Sequence, residues 1–273
     1  MVWISETKKC FNVSVPGFRV FYNPSKNGQH RGGIMLLMRE KMLNYVKSVD
    51  MNTEGQIWVT LAFLVSYKLG GVYIPPENSP YFQQSLVGAL ASHTIEDGNT
   101  VVLGDLNGRV AKPNLRDSEN IPYVYTGIVD ETVNSRGREL LNICSNNNMV
   151  VANHLLYKNK QLGGNLSFKR NGQWISELDV CLAKQDCIQQ IIDVSTRQDI
   201  QGSDHAPLCV TIALPTATIT NIDMLVKRSS MLGQSQCQVK EVQPLKKSLP
   251  YRNIDLQHLT EKLHDLAPPA IGI

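Results

Sequence analysis

The stretch TVVLGDLNG, from Thr100 to Gly108, decides how the chain is read. Val101 to Leu103 form an apolar run of the kind found in strands covered on both faces. Gly104 follows, then Asp105, and Asn107 two places on. Alone, an aspartate after a glycine reads as a turn residue. At the mouth of a buried strand, however, a carboxylate is costly unless it is paired, hydrogen-bonded or bound to metal.

The same design recurs. In QGSDHAPLCVTI, residues 201–212, Asp204 and His205 stand directly before an apolar run. In ISELDVCLA, residues 175–183, Asp179 interrupts one. In VWISETKK, residues 2–9, Glu6 closes the first. Taken singly, Asp204 reads as a cap or turn residue and Glu6 as a solvated charge, whereas Asp179 lies within a strand. Four acids and a histidine at strand ends together point to one shared cleft. Oxygen ligands suit Mg²⁺, which takes one or two carboxylates and completes its shell with water and phosphate. A histidine beside an acid suits phosphoryl-oxygen chemistry, as general acid–base or as charged stabiliser.

Composition sets the frame. The 273 residues are 42% hydrophobic and 19% charged, enough for a packed core and too apolar for global disorder. A net charge of +3 neither demands nor repels nucleic acid. The six cysteines, at 10, 144, 181, 187, 209 and 237, form no CxxC pair and read as ordinary thiols of a reducing compartment. N-x-S sequons at Asn12 and Asn165 carry no weight without a secretory signal, and MVWISETKK has no apolar signal core. The longest apolar run, Ile57 to Val65, is about half a membrane span. These features predict a soluble intracellular protein without a membrane partner.

Along the chain, strands are expected at Val2–Ser5, Gly33–Met38, Ile57–Val65, Gly71–Ile74, Val101–Leu103, Val150–Ala152, Leu166–Lys169, Leu178–Leu182, Ile191–Val194 and Leu208–Ile212. One helix is expected from Ser79 as N-cap with Pro80 at the first helical position, carrying Phe82, Leu86 and Leu90 on one stripe. Another is expected from about Arg136 to Asn148, with Leu140, Leu141 and Cys144 inward. KRNGQW is a hairpin signal, because Asn171-Gly172 suits a type I′ turn. After Pro215 periodicity fades, so residues 215–273 read as a linker with a short helix on Leu256, Leu259, Leu263 and Leu266, stopped by Pro268-Pro269.

GDLNG, GSDHAP and ELDVCLA, in that order, resemble three signatures of the endonuclease/exonuclease/phosphatase superfamily. GGVYIPP, with Tyr73, resembles its Tyr-x-Pro segment, and WISETK its Glu-Thr strand end. The segments VPGFRVFYNPSKNGQHRGGIMLLMRE and NSRGRELLNICSNNNMVVANHL resemble the endonuclease domain of non-LTR (LINE-type) retrotransposons. The resemblance spans residues 1–214, and the tail resembles the connector that leads to a reverse transcriptase in a longer parent chain.

That resemblance implies a DNase I-like α/β fold: two packed mixed sheets with helices outside, a four-layer α/β/β/α sandwich. It implies Glu6 and Asp204 at a divalent metal, Mg²⁺ or alternatively Mn²⁺, and Asp105 orienting or deprotonating water. It further implies Asn107 holding the phosphate, Tyr73 donating to it, and His205 stabilising the transition state, oriented by Asp179. Ser167 falls where relatives carry a threonine near the DNA backbone. The family's first strand bears an Asn that has no counterpart here, so the resemblance implies a fold lacking that strand. It also implies a chain that is less stable, and cuts more poorly, than one extended upstream. The leading expectation is a Mg²⁺-dependent DNA endonuclease leaving a 3′-OH and acting in the nucleus. Two alternatives stay open: a phosphoesterase of the same fold acting on a small phosphate ester, and a catalytically impaired remnant that binds nucleic acid.

Overall fold

The computed structural model describes residues 1–7, 13–25, 32–95, 98–111, 123–126, 129–157, 160–200 and 202–214. In chain order its strands are β1 (Val2–Ser5), β2 (Phe18–Asn23), β3 (Ile34–Arg39), β4 (Val46–Asp50), β5 (Gln56–Ala62), β6 (Ser66–Val72) and β7 (Asn99–Asp105), then β8 (Tyr123–Tyr125), β9 (Met149–Val151), β10 (Leu155–Tyr157) and β11 (Lys160–Gln161). They end with β12 (Phe168–Arg170), β13 (Gln173–Ser176), β14 (Asp179–Lys184), β15 (Ile191–Thr196) and β16 (Leu208–Ile212). The helices are α1 (Gln84–Ile95) and α2 (Ser135–Asn146), with 3₁₀ turns at Glu40–Tyr45 and Gln185–Gln190. The expected tail linker and helix, Cys10, Cys237 and Asn12 lie outside the described residues.

Six strands form the main sheet, in the order β4-β5-β6-β7-β14-β9. All pairs are antiparallel except β6 and β7, which run parallel and are joined through α1. A parallel pair needs such a crossover, because no tight turn can return the chain in the same direction. A second layer holds the sheet β1-β3-β2 and the pair β15-β16. Here β3 packs over β5 and β6, β1 over β7, and β16 over β14. Five successive residues of β3, Ile34 to Met38, are buried, as the continuous apolar run requires. On the other face of the main sheet, Gln56 Nε2 donates to the Leu86 carbonyl of α1 at 2.9 Å and Trp58 stacks on His93. Asn147 Nδ2, just past α2, donates to Thr94 Oγ1 of α1 at 2.9 Å. The result is the mixed α/β fold with packed sheets that the sequence predicts.

Three local expectations need correction. Ile57–Val65 is not one strand: β5 ends at Ala62 and turns through Phe63–Val65 into β6, which takes in Gly71 and Val72 of the expected Gly71–Ile74 strand and leaves Tyr73 and Ile74 beyond its end. Apolar residues at the tip, with Leu64 66% exposed, hid the turn from a hydropathy reading. The first helix begins at Gln84, not Ser79; Ser79 Oγ instead accepts from Tyr81 N at 3.3 Å within a turn. The strands β2, β4, β8 and β10 were unmarked: β2 and β4 mix polar and apolar residues, and β8 and β10 are three residues each, too short to show a period. The hairpin was legible: Asn171 (φ 51°) and Gly172 (φ 80°) both take the left-handed conformation of a type I′ turn between β12 and β13.

Candidate active site

β7 and β14 lie side by side with Asp105 directly opposite Asp179. Gly104, just before Asp105, has φ 144°, and a Cβ there would overlap the Val72 carbonyl oxygen of β6. Glycine therefore lets β7 approach β6 closely where it delivers its acid. The Asp105 carboxylate accepts from Asn107 N (3.0 Å) and Asn107 Nδ2 (3.2 Å). Asn107 Nδ2 also donates to the Ile74 carbonyl at 3.0 Å, and Ile74 N donates to the Asp105 carbonyl at 3.0 Å. The segment after Tyr73 is thereby stitched to the Asp105 turn.

His205 joins the two acids. Its Nδ1 lies 2.8 Å from Asp179 Oδ2 and its Nε2 lies 3.8 Å from Asp105 Oδ2. The loop around it is built on β12: Phe168 pairs with His205, Lys169 N donates to the Asp204 carbonyl (2.8 Å) and Ala206 N to the Ser167 carbonyl (2.7 Å). The Phe168 ring backs the imidazole with centroids 5.1 Å apart. Burial pulls the His205 pKa down, but the hydrogen bond and charge of Asp179, with the charges of Asp105 and Asp204, outweigh it and raise it to about 9. Burial pushes Asp105 up, the Asp179 charge adds to this, and His205 with the Asn107 N–H opposes, leaving it at about 8.

Glu6 closes β1 in the left-handed region, φ 53°, as does Asn107 at φ 50°. Neither is a glycine, so both conformations are held by their surroundings, a recurrent mark of functional sites. Tyr73 Oη donates to Glu6 Oε1 at 2.6 Å, and a cleft of about 330 Å³ opens beside the pair, lined among others by Glu54, Pro75 and Tyr81. Asp204 is exposed on the His205 side and acts on that ring through its charge.

Among the described residues no three His, Cys, Asp or Glu side chains form a group that could hold a metal ion. The donors present are carboxylate oxygens, and Asp105 carries more negative charge around it than His205 neutralises. Such a set fits a hard cation that uses one or two carboxylates and takes its remaining ligands from water and phosphate.

Ser167 corrects an expectation. It is fully buried, and its Oγ accepts from Leu178 N and Asp179 N, both at 3.0 Å. It anchors the entry to Asp179, and its hydroxyl is not presented to solvent. Sequence reading also missed Asp130, Asn134 and Arg109. Asn134 caps α2, its Oδ1 accepting from Gly137 N (2.7 Å) and Arg109 N (3.0 Å) while its Nδ2 donates to the Asn107 carbonyl (3.1 Å). The signal was an asparagine before Ser-Arg-Gly at a helix start.

A family model described as endonuclease-reverse transcriptase matches residues 67–209, just over half of the chain. Among solved structures, the AP endonuclease LMAP from Leishmania major aligns with a TM-score of 0.57 at 14% identity, over 74% of this chain and 72% of that one. The endonuclease domain of TRAS1, a telomere-specific non-LTR retrotransposon, aligns at 0.51 and 17%, over 74% and 83%. The 3′-5′ exonuclease NExo from Neisseria meningitidis aligns at 0.54 and 16%, over 78% and 88%. At these identities the likeness is one of fold. No curated protein matches the chain. No helix among the described residues is long and apolar enough to cross a membrane.

Proposed function

The chain belongs to the endonuclease-reverse transcriptase family, and on that premise we propose that it is a Mg²⁺-dependent DNA endonuclease, Mn²⁺ serving as a substitute, that nicks one strand and leaves a 3′-OH. The observation that carries this reading is the meeting of Asp105, Asp179 and His205, from three separate parts of the chain, within hydrogen-bonding and ion-pair distances of one imidazole. A divalent ion bound at Glu6, with Asp204 assisting, would supply charge neutralisation for the phosphate.

The chain's own residues account for the rest. Asp105 takes the proton of the attacking water, and a carboxyl near 8 is well matched to that task at mildly alkaline pH. Asn107 holds that carboxylate in place, and the Nδ2–H now on Asp105 turns to the phosphate when substrate binds. Water oxygen bonds to phosphorus as the bond from phosphorus to O3′ breaks, giving a 5′-phosphate and a 3′-oxygen that takes a proton from solvent to become the 3′-hydroxyl. His205, kept protonated by Asp179, donates to the phosphoryl oxygen on which charge builds. Tyr73 turns its hydroxyl from Glu6 towards the same phosphate. In a longer parent chain, acting in the nucleus, the 3′-OH would prime a reverse transcriptase domain.

Nicking of supercoiled plasmid tests the proposal. We expect open circles with Mg²⁺, none with EDTA, and ends that a DNA polymerase extends without pretreatment. EDTA-resistant cutting, or ends that need phosphatase before extension, would overturn it.

A further inference from the structure

Asp130 lies outside every motif above and is buried. Its carboxylate accepts from Arg109 Nε at Oδ2 (2.8 Å) and Oδ1 (3.1 Å), from Arg109 Nη2 at Oδ1 (2.6 Å), from Thr132 N at Oδ1 (3.1 Å) and from Glu177 N at Oδ2 (2.9 Å). Thr132 is a near neighbour in the chain; the other two partners belong to two distant places. Arg109 is four residues after Asp105 and two after Asn107; Glu177 is two residues before Asp179. Four residues on, Asn134 grips the first place again: its Oδ1 accepts from Arg109 N, its own N–H donates to the Arg109 carbonyl (3.2 Å), and its Nδ2 holds the Asn107 carbonyl.

We infer that Asp130 is a positioning residue of the nuclease site: one carboxylate that ties the turn leaving Asp105 to the turn entering Asp179, and so sets where both acids meet His205. The inference rests on the function proposed above. Its physical basis is that a planar guanidinium and a carboxylate meet in one geometry, so the pair fixes direction as well as distance. The remaining lone pair of Oδ2 is spent on the Glu177 amide, which leaves no slack between the two turns. Asp130 touches neither Asp105 nor His205 through any of these bonds, so it acts through the backbone.

Asp130→Asn tests this, because it keeps the volume but turns an N–H group towards one of the donors it now accepts from. With saturating Mg²⁺ and plasmid DNA, we expect kcat for nicking to fall about 10–100-fold with KM changed less than threefold, since misplacing reacting groups slows the chemical step. An independent readout is the proton NMR signal of the His205 Nδ1–H, identified by its loss in His205→Gln. We expect that signal to move or broaden in Asp130→Asn, whether or not DNA is cut. A wild-type chain that does not nick DNA, yet whose His205 signal shifts in the variant, would end the nuclease reading and uphold the positioning role. A folded Asp130→Asn with wild-type kcat and an unmoved His205 signal would overturn the positioning role. Should Asp130→Asn fail to fold, Arg109→Lys carries the test: it keeps the charge, loses the two-pronged contact, and alters a side chain that is partly exposed. We expect a several-fold loss of kcat and a smaller shift of the same signal; neither occurring would overturn the inference.

Discussion

Two histidine–carboxylate pairs hang from one short piece of chain. Glu177 holds His154, with oxygen and Nε2 2.9 Å apart, and Asp179 holds His205 at 2.8 Å. The first pair is sealed, its side chains 7% and 6% exposed; in the second, His205 is 27% exposed and Asp179 13%. The decisive difference lies in what else each pair touches. The second oxygen of Glu177 is taken by Asn153 Nδ2 at 2.8 Å, so that pair forms part of a filled network. The second nitrogen of His205 faces Asp105 at 3.8 Å, too far for a hydrogen bond. The same chemistry thus serves as a strut where its bonds are used up, and as a tool where one donor is left over.

The comparison breaks most sharply at the strut. Glu177→Ala removes a buried carboxylate hydrogen-bonded to both His154 and Asn153 and leaves their polar groups unpaired, at a cost of about 1–3 kcal/mol each. We expect a loss of that order in urea unfolding, and a loss below about 1 kcal/mol would show that the sealed pair bears no weight. Next is the tool itself. His205→Ala should lower the nicking rate about 10²–10³-fold, the usual effect of removing one transition-state donor. Circular dichroism should show the fold retained; a folded variant that nicks at the wild-type rate would remove His205 from the mechanism.

A smaller effect concerns pH. His205 has its pKa raised from 6.5 to about 9, so the stability it contributes is fully present below 6.5 and is lost as pH rises towards 9. The stability gap between wild type and His205→Ala should therefore shrink over that window, by on the order of 1–3 kcal/mol. Nicking should follow a bell. It should rise as Asp105 loses its proton near 8 and fall as His205 loses its own near 9, the two limbs belonging to the coupled set. A gap constant from pH 6 to 9.5, or a flat kcat/KM profile, would contradict this assignment. The smallest effect is at the ring behind the histidine: Phe168→Leu should slow nicking only several-fold, matching about 0.5–1.5 kcal/mol for one aromatic contact. A loss as large as that of His205→Ala would mean that Phe168 supports much more than the imidazole.

The contrast also explains what could be read without coordinates. Asp105, Asp179 and His205 were legible because each acid interrupts or ends an apolar run, and such a break carries information. Glu177 and His154 were not. Glu177 sits in ISEL, where a polar residue between strands looks like any loop, and His154 in ANHLL looks like a turn. Their pairing is a contact across 23 positions that no local pattern encodes. Ser167 was found for the wrong reason, since similarity marked the position while only the fold shows its hydroxyl turned to the Asp179 amide. The β5–β6 turn stayed hidden because Phe63–Val65 has the hydropathy of a strand interior.

The facing of Asp105 and Asp179 across one antiparallel ladder has a consequence for inheritance. Their separation is a property of backbone pitch, common to every sheet, and not of side-chain packing. Mutations in the surrounding core can accumulate without moving the two acids apart. A single inserted or deleted residue within β7 or β14, however, would turn an acid to the opposite face, because side chains alternate along a strand. The spacing is thus robust to substitution and brittle to insertion and deletion. A lineage of such chains should drift freely in the identity of its core residues, while the residue count between each acid and the far end of its strand stays unchanged.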